Sequence, residues 1–145
     1  MKTMKTQNRL PLTLLFLRLS VFLVMLMWTI DKFIQPQHAS KIMEHFYFTT
    51  GVGYAAIYIL AGLELVLLVA FVAGIAKRWT YGLVLLLHGL STVVAYQEYL
   101  HPFQSKNLLF FAAWPMLVAC FTLYYLREDD VLWTVKPSNK TGPID

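Results

Sequence analysis

Three residues whose side chains can carry charge stand inside apolar stretches of this 145-residue chain: Arg18, Glu64 and His88. Glu64 interrupts a run from Val52 to Ala76 that otherwise lacks charge. An ionised group in such surroundings needs a partner or a function, because burying it alone is costly. A carboxylate and an imidazole can hold or exchange a proton, and a guanidinium can stabilise the carboxylate charge. These three residues are therefore the first candidates for chemistry.

Apolar segments long enough to cross about 30 Å of hydrocarbon as helices position these residues. They cover roughly residues 12–34, 52–76, 79–96 and 108–126. Uninterrupted apolar runs are not the alternating pattern of barrel strands, so helices must satisfy the backbone in lipid. The sequence predicts an all-α integral membrane four-helix bundle at residues 12–126. A basic N-terminus at residues 1–11 precedes it, and a polar C-terminal tail at residues 127–145 follows.

Lysine and arginine are distributed unevenly over the predicted loops, and positive charge stays on the cytoplasmic side of a membrane. The predicted cytoplasmic side carries Lys2, Lys5, Arg9, Lys77, Arg78, Arg127, Lys136 and Lys140, against Lys32, Lys41 and Lys106 on the other. Both termini are therefore expected to be cytoplasmic. The basic start followed by an apolar run also resembles a signal peptide, but no small-x-small site follows, so we expect no cleavage.

Arg18, Glu64 and His88 are predicted to lie at similar depth. Counted inward at about 1.5 Å per residue, they lie roughly 10, 16 and 14 Å from the cytoplasmic ends of their spans. We therefore expect an ion pair between Arg18 and Glu64 with His88 close by. Three interpretations stay open: Arg18 reaches the headgroups and Glu64 is protonated, the pair only fixes helix register, or it forms part of a ligand or proton site.

A second group of polar residues is expected at the outer mouth of the bundle, and its members are Asp31, Lys32, His45, Glu98 and His101. Glu98 and His101 have the i, i+3 spacing that places side chains on one face of a helix. Carboxylates and imidazoles together can bind metal or relay protons. Histidines scattered over two loops do not form a metal motif, however, and interfacial polar residues are commonly just solvated. No metal site is predicted.

The composition restricts the classes of function. The chain is 58% hydrophobic and 14% charged, whereas soluble domains are about one quarter charged, so the lipid bilayer is its expected surroundings. The net charge of +4 is not arranged as a basic stripe, and nucleic-acid binding is not expected. The single cysteine, Cys120, excludes an internal disulfide and is expected to be a small buried apolar residue.

Several short motifs resemble the DoxX family of small four-helix bacterial membrane proteins. They are Arg18 in the first span, the sequence Trp28-Thr-Ile-Asp-Lys32-Phe at its exit, Gly62-Leu-Glu64 in the second span, and Gly74-Ile-Ala-Lys-Arg78 at the following turn. The likeness extends from Arg9 to about Trp133. It implies a bacterial inner-membrane location and carries Arg18, Lys32 and Glu64 over as family positions. Asp31 departs from the pattern, because a glycine is commoner there.

The resemblance implies a redox or stress-response context, since some relatives are associated with a thiosulfate:quinone oxidoreductase. The leading hypothesis is a membrane component that binds a quinone or another small hydrophobic molecule and works with a membrane or redox protein partner, for example as an accessory subunit of a quinone-linked oxidoreductase. The first alternative is a non-catalytic membrane subunit or assembly factor whose buried ion pair is structural. The second is a proton-coupled small exporter, which needs a carboxylate that is free to titrate.

Overall fold

The computed structural model describes residues 9–135, and this part of the chain is helical without strands. The all-α prediction is therefore confirmed. Residues 1–8 of the predicted N-terminus and residues 136–145 of the predicted tail lie outside the described residues. The elements in chain order are α1 (Arg9–Ile34), α2 (Pro36–Tyr47), α3 (Tyr54–Val72), α4 (Lys77–Val94), α5 (Tyr96–Leu100), a 3-10 helix (Asn107–Ala112) and α6 (Ala113–Tyr125).

Three helical stretches are long and apolar enough to cross a membrane: α1, α3 and the continuous stretch Asn107–Tyr125. Their outward faces are rich in exposed apolar side chains, such as Leu63 and Val66 on α3, which are 65% and 70% exposed. Side chains of this kind are stable against lipid rather than water. The protein is thus a multi-pass membrane protein.

Proline and glycine determine where the helices end. Pro36 opens α2 directly after α1, since a proline is tolerated in the first turn of a helix but not in its interior. Pro115 likewise lies in the first turn of α6. α3 ends in a Schellman motif, in which the amides of Gly74 and Ile75 donate to the carbonyls of Phe71 and Ala70 at 3.0 and 2.9 Å.

Helices α1, α3, α4 and α6 contact one another in a ring, with the most extensive contacts between α1 and α3 and between α4 and α6. Their buried apolar residues form one core, composed of Leu14, Val21, Met25, Leu68, Phe71, Tyr81, Val84, Cys120 and Leu123. Cys120 is 1% exposed, so the expectation that it is a buried apolar residue is confirmed.

The two ends of the molecule differ in structure. At one end, which we call the turn end, lie the α3–α4 turn (residues 73–76) and the segment after α6, residues 127–135. At the other end, which we call the α2 end, helix α2 packs on α1 and α3. There the ring of Phe46 on α2 also meets that of Phe110 in the 3-10 helix at 5.8 Å between centroids. Each end holds a separate group of charged side chains.

Candidate functional site

Arg18 lies near the turn end, within α1, and its side chain is completely buried. Its Nη1 donates to Asp130 Oδ2 at 2.8 Å and to the hydroxyl of Tyr81 at 3.1 Å. Asp130 belongs to the segment that follows α6, so the ion pair joins the first helix to residues near the end of the described chain. A buried ion pair of this kind is tolerated only where hydrogen bonds satisfy both groups.

The second terminal nitrogen of Arg18 binds backbone. Its Nη2 donates to the carbonyls of Leu132 and Trp133 at 2.6 and 3.3 Å. Four of the five N–H donors of a guanidinium are therefore directed at protein acceptors, which leaves only Nε buried without a partner in the described residues. Arg18 thus holds both the side chain and the main chain of the segment after α6.

Asp130 is equally buried and is the centre of this group, which we call the Arg18 cluster (Arg18, Tyr81 and Asp130). The Tyr81 hydroxyl donates to Asp130 Oδ2 at 2.6 Å while it accepts from Arg18. Lys77 Nζ donates to the backbone carbonyl of Asp130. The ring of Tyr81 also packs against Phe71, with centroids 4.9 Å apart. One carboxylate therefore connects α1, α4 and the segment after α6.

Backbone contacts continue this attachment along residues 127–135. The amide of Val135 donates to the carbonyl of Ala73 at 2.9 Å. Gly74 has a φ of +65°, and a Cβ at this position would lie 2.6 Å from Thr134 Cγ2. Glycine is required here both by the left-handed conformation and by the close approach of Thr134. Residues 127–135 of the predicted polar tail are thus docked against the helices.

The predicted pair between Arg18 and Glu64 is wrong. Glu64 forms its ion pair with Lys32, near the end of α1. Arg18 and Lys32 are 14 positions apart along α1, about 21 Å at 1.5 Å per residue. The prediction counted depth from the ends of the apolar runs, which ignores how far α3 is shifted along α1. In the structure this shift places Glu64 beside Lys32 and not beside Arg18.

The pair of Lys32 and Glu64 differs from the Arg18 cluster in exposure. Their side chains are 22% and 15% exposed, whereas those of Arg18 and Asp130 are 0% exposed. Burial, and after it the charge of Glu64, raises the pKa of Tyr47 at the end of α2. Of the three positions implied by the DoxX resemblance, Lys32 and Glu64 form an ion pair with each other, whereas Arg18 belongs to the separate Arg18 cluster.

His88 is not bonded to either charged group. Its Nε2 donates to the carbonyl of Ala113 at 3.0 Å, which ties α4 to the start of α6. The hydroxyl of Thr92 donates to the backbone carbonyl of His88 at 2.8 Å. The expectation that His88 lies beside an Arg18 and Glu64 pair is therefore wrong, since both ring and backbone serve helix contacts.

The predicted outer-mouth group divides into separate pairs. His45 Nε2 contacts Glu98 Oε1 at 3.2 Å, and these two are the only members of the group that bond to each other in the described residues. Asp31 instead accepts from His38 Nδ1 at 2.7 Å, and Lys32 belongs to Glu64. His101 contributes its backbone carbonyl to Asn107. Within residues 9–135 no three His, Cys, Asp or Glu side chains are placed to bind a metal ion.

Sequence reasoning missed Asp130 and Tyr81. Asp130 stands at the end of the charged stretch Arg127-Glu-Asp-Asp and directly before the apolar patch Val131-Leu-Trp133. An apolar patch directly after a polar run is the signal that this segment returns to the bundle. Tyr81 stands near the end of a predicted span, where an aromatic residue is typical of the membrane interface. Only the position of its hydroxyl identifies it as a hydrogen-bonding residue of the core.

No protein-family model matches this chain, and no match was found among curated proteins or among solved structures. The functional argument therefore depends on the geometry of the two charged groups. One is closed and joins three parts of the chain, and the other is partly open at the α2 end.

Proposed function

We propose that this chain is a DoxX-like bacterial inner-membrane protein that serves as a non-catalytic membrane subunit or assembly factor. Its four helices α1, α3, α4 and α6 would cross the membrane with both termini in the cytoplasm. The ring of contacts among these helices supports this arrangement, since α4 packs between α3 and α6. Both α3 and the stretch Asn107–Tyr125, which contains α6, are apolar enough to span. α4 has 18 residues, about 27 Å of helix.

The distribution of charge supports the proposed orientation. The turn end carries Lys77 and Arg78 at the start of α4 and Arg127 after α6. At the α2 end, Lys32 is paired with Glu64, which leaves fewer cations there. Since lysine and arginine accumulate on the cytoplasmic side, the turn end would face the cytoplasm.

The observation that carries the non-catalytic role is the complete burial of the Arg18 cluster. Arg18, Tyr81 and Asp130 are 0%, 1% and 0% exposed. Arg18 Nη1, the Tyr81 hydroxyl and Asp130 Oδ2 bond to one another, and Arg18 Nη2 binds the carbonyls of Leu132 and Trp133. A catalytic or ligand-binding charge must meet its substrate, and these groups are closed off by the protein. The ion pair and hydrogen bonds of the Arg18 cluster therefore hold the segment after α6 in place and are not available for a reaction.

The test is purification of the tagged protein from its native membrane in mild detergent, followed by identification of what remains bound. The proposal predicts a polypeptide partner in fixed ratio, with no stoichiometric small-molecule ligand. A partner's activity per folded complex should be unchanged in Glu64→Gln. A stoichiometric quinone in the absence of a polypeptide partner would overturn the subunit role.

A second candidate function is binding of a quinone-like molecule beside Lys32 and Glu64. The specific observation in its favour is that this ion pair is partly exposed on helices that face lipid. Ionisable groups in such positions commonly mark ligand or proton sites. The Lys32 ammonium can donate to a carbonyl oxygen, and Glu64 can exchange a proton. Redox carriers would have to come from a partner.

Quinone binding by the purified protein tests this candidate. Glu64→Gln should weaken binding, whereas Glu44→Gln on the exposed part of α2 should leave it unchanged, because Glu44 has no hydrogen-bonded partner in residues 9–135. Equal binding by the two variants would exclude the Lys32 and Glu64 pair as the site.

A further inference from the structure

A groove runs along the outside of the molecule at the turn end, between the start of α4 and the end of α6. It has a volume of about 290 Å³. One of its ends is basic and aromatic, and the other is apolar. The lining residues are Arg78, Trp79, Gly82, Leu83, Leu86 and Tyr124.

Gly82 explains the depth of the groove. A Cβ at this position would lie 3.3 Å from the Tyr124 ring, so the helices approach closely where the side chain is absent. A larger residue would both fill the depression and press on Tyr124. Leu83 and Leu86 continue along the same groove toward the middle of α4 and are 44% and 55% exposed. This part of the groove is therefore apolar and lies on a surface that faces lipid.

Cationic side chains lie at the mouth of the groove. Arg78 is exposed, and its guanidinium has no hydrogen bond or ion pair with any of residues 9–135. The guanidinium of Arg127 lies over the Tyr124 ring, 4.9 Å from its centroid, and its Nε lies 3.4 Å from the exposed Glu128 carboxylate. Trp79, which is 70% exposed, has the amphipathic ring that favours the headgroup level of a membrane.

We infer that this groove binds one anionic phospholipid. The phosphate would meet Arg78, the glycerol region would lie beside Trp79, and an acyl chain would follow Leu83 and Leu86 over Gly82. The charge at the mouth selects an anionic headgroup, because a zwitterionic lipid brings a cation of its own toward the arginines. The site rests on the proposed crossing of the membrane by α4 and is independent of the proposed partner and of the Lys32 and Glu64 pair.

Native mass spectrometry of the full chain tests the inference. The protein is released from detergent with phosphatidylglycerol and phosphatidylcholine of identical acyl chains at equal concentration. The native protein should retain phosphatidylglycerol preferentially as a 1:1 complex. Arg78→Gln should reduce that preference about fivefold, the effect of one cation at a membrane surface. The matched control is Arg9→Gln, which removes one exposed charge outside the groove and should retain the preference.

A second variant separates the groove from the charge. Leu86→Trp fills the groove without altering any ionised group. Because Leu86 is largely exposed, the substitution removes little core packing. It should lower retention of both lipids. Preference that survives in Arg78→Gln, or falls equally in Arg9→Gln, would overturn the site. Retention of both lipids in Leu86→Trp, or a dimer that excludes lipid from the groove, would overturn it as well.

Discussion

Arg18 and Asp130 are separated by 112 positions in the chain, yet their side chains meet at 2.8 Å with neither accessible. The contact joins α1, the first described helix, to the segment that follows α6. Nearby, Tyr81 from α4 bonds to both. Three parts of the chain thus depend on one carboxylate.

Removal of the Asp130 charge should destabilise the protein strongly. In Asp130→Ala the guanidinium of Arg18 stays buried without its counterion, a change that costs about 3–5 kcal/mol. Thermal unfolding in detergent measures the loss. Asp129→Ala is the matched control, since Asp129 is exposed and adjacent. Equal unfolding temperatures for the two variants would contradict the structural role of Asp130.

Tyr81→Phe should have a smaller effect in the same direction. The variant keeps the ring that packs on Phe71 and removes only the hydroxyl, so that Asp130 and Arg18 each lose one bond. The expected loss is about 1–3 kcal/mol, measured by the same unfolding experiment. Tyr125→Phe serves as the control because Tyr125 is 71% exposed. If Tyr81→Phe is as stable as that control, the hydroxyl is not part of the cluster.

Gly74→Ala should release residues 127–135. Alanine has to adopt the left-handed conformation, which costs about 1–2 kcal/mol, and its Cβ would overlap Thr134. Faster proteolysis after α6 reports the release. Gly62→Ala is the control in α3, where nothing lies within 4 Å of the added Cβ, and it should stabilise the helix by about 0.5–1 kcal/mol. Equal rates of proteolysis after α6 in Gly74→Ala and Gly62→Ala would argue against docking of residues 127–135.

Lys32 and Glu64 should show a direct but modest coupling. A double-mutant cycle with Lys32→Gln and Glu64→Gln should give about 1 kcal/mol, since partly exposed ion pairs contribute less than buried ones. The exchanged pair Lys32→Glu with Glu64→Lys should recover stability relative to either reversal alone. The coupling free energy is obtained from thermal unfolding of the native protein, the two single Gln variants and the double variant. A cycle between Arg18→Gln and Glu64→Gln should show no coupling, because these residues have different partners.

The helical class, three of the four predicted apolar spans and the burial of Cys120 agree with the structure, because each follows from local composition. Runs of apolar residues long enough to cross a bilayer must form helices when no water satisfies the backbone. Arg18 and Glu64 were likewise identified as residues that need partners, since an isolated charge in such a run is costly wherever the helix lies.

Only the tertiary structure decided which residues those partners are. The 1.5 Å rise determines depth along one helix, but the shift between two helices is set by packing over their whole length, and it placed Glu64 opposite Lys32. Asp130 reached Arg18 because residues 127–135 return to the bundle, a contact between distant parts of the chain. No local periodicity encodes such a return, since its free energy arises from groups that meet only after the helices have assembled.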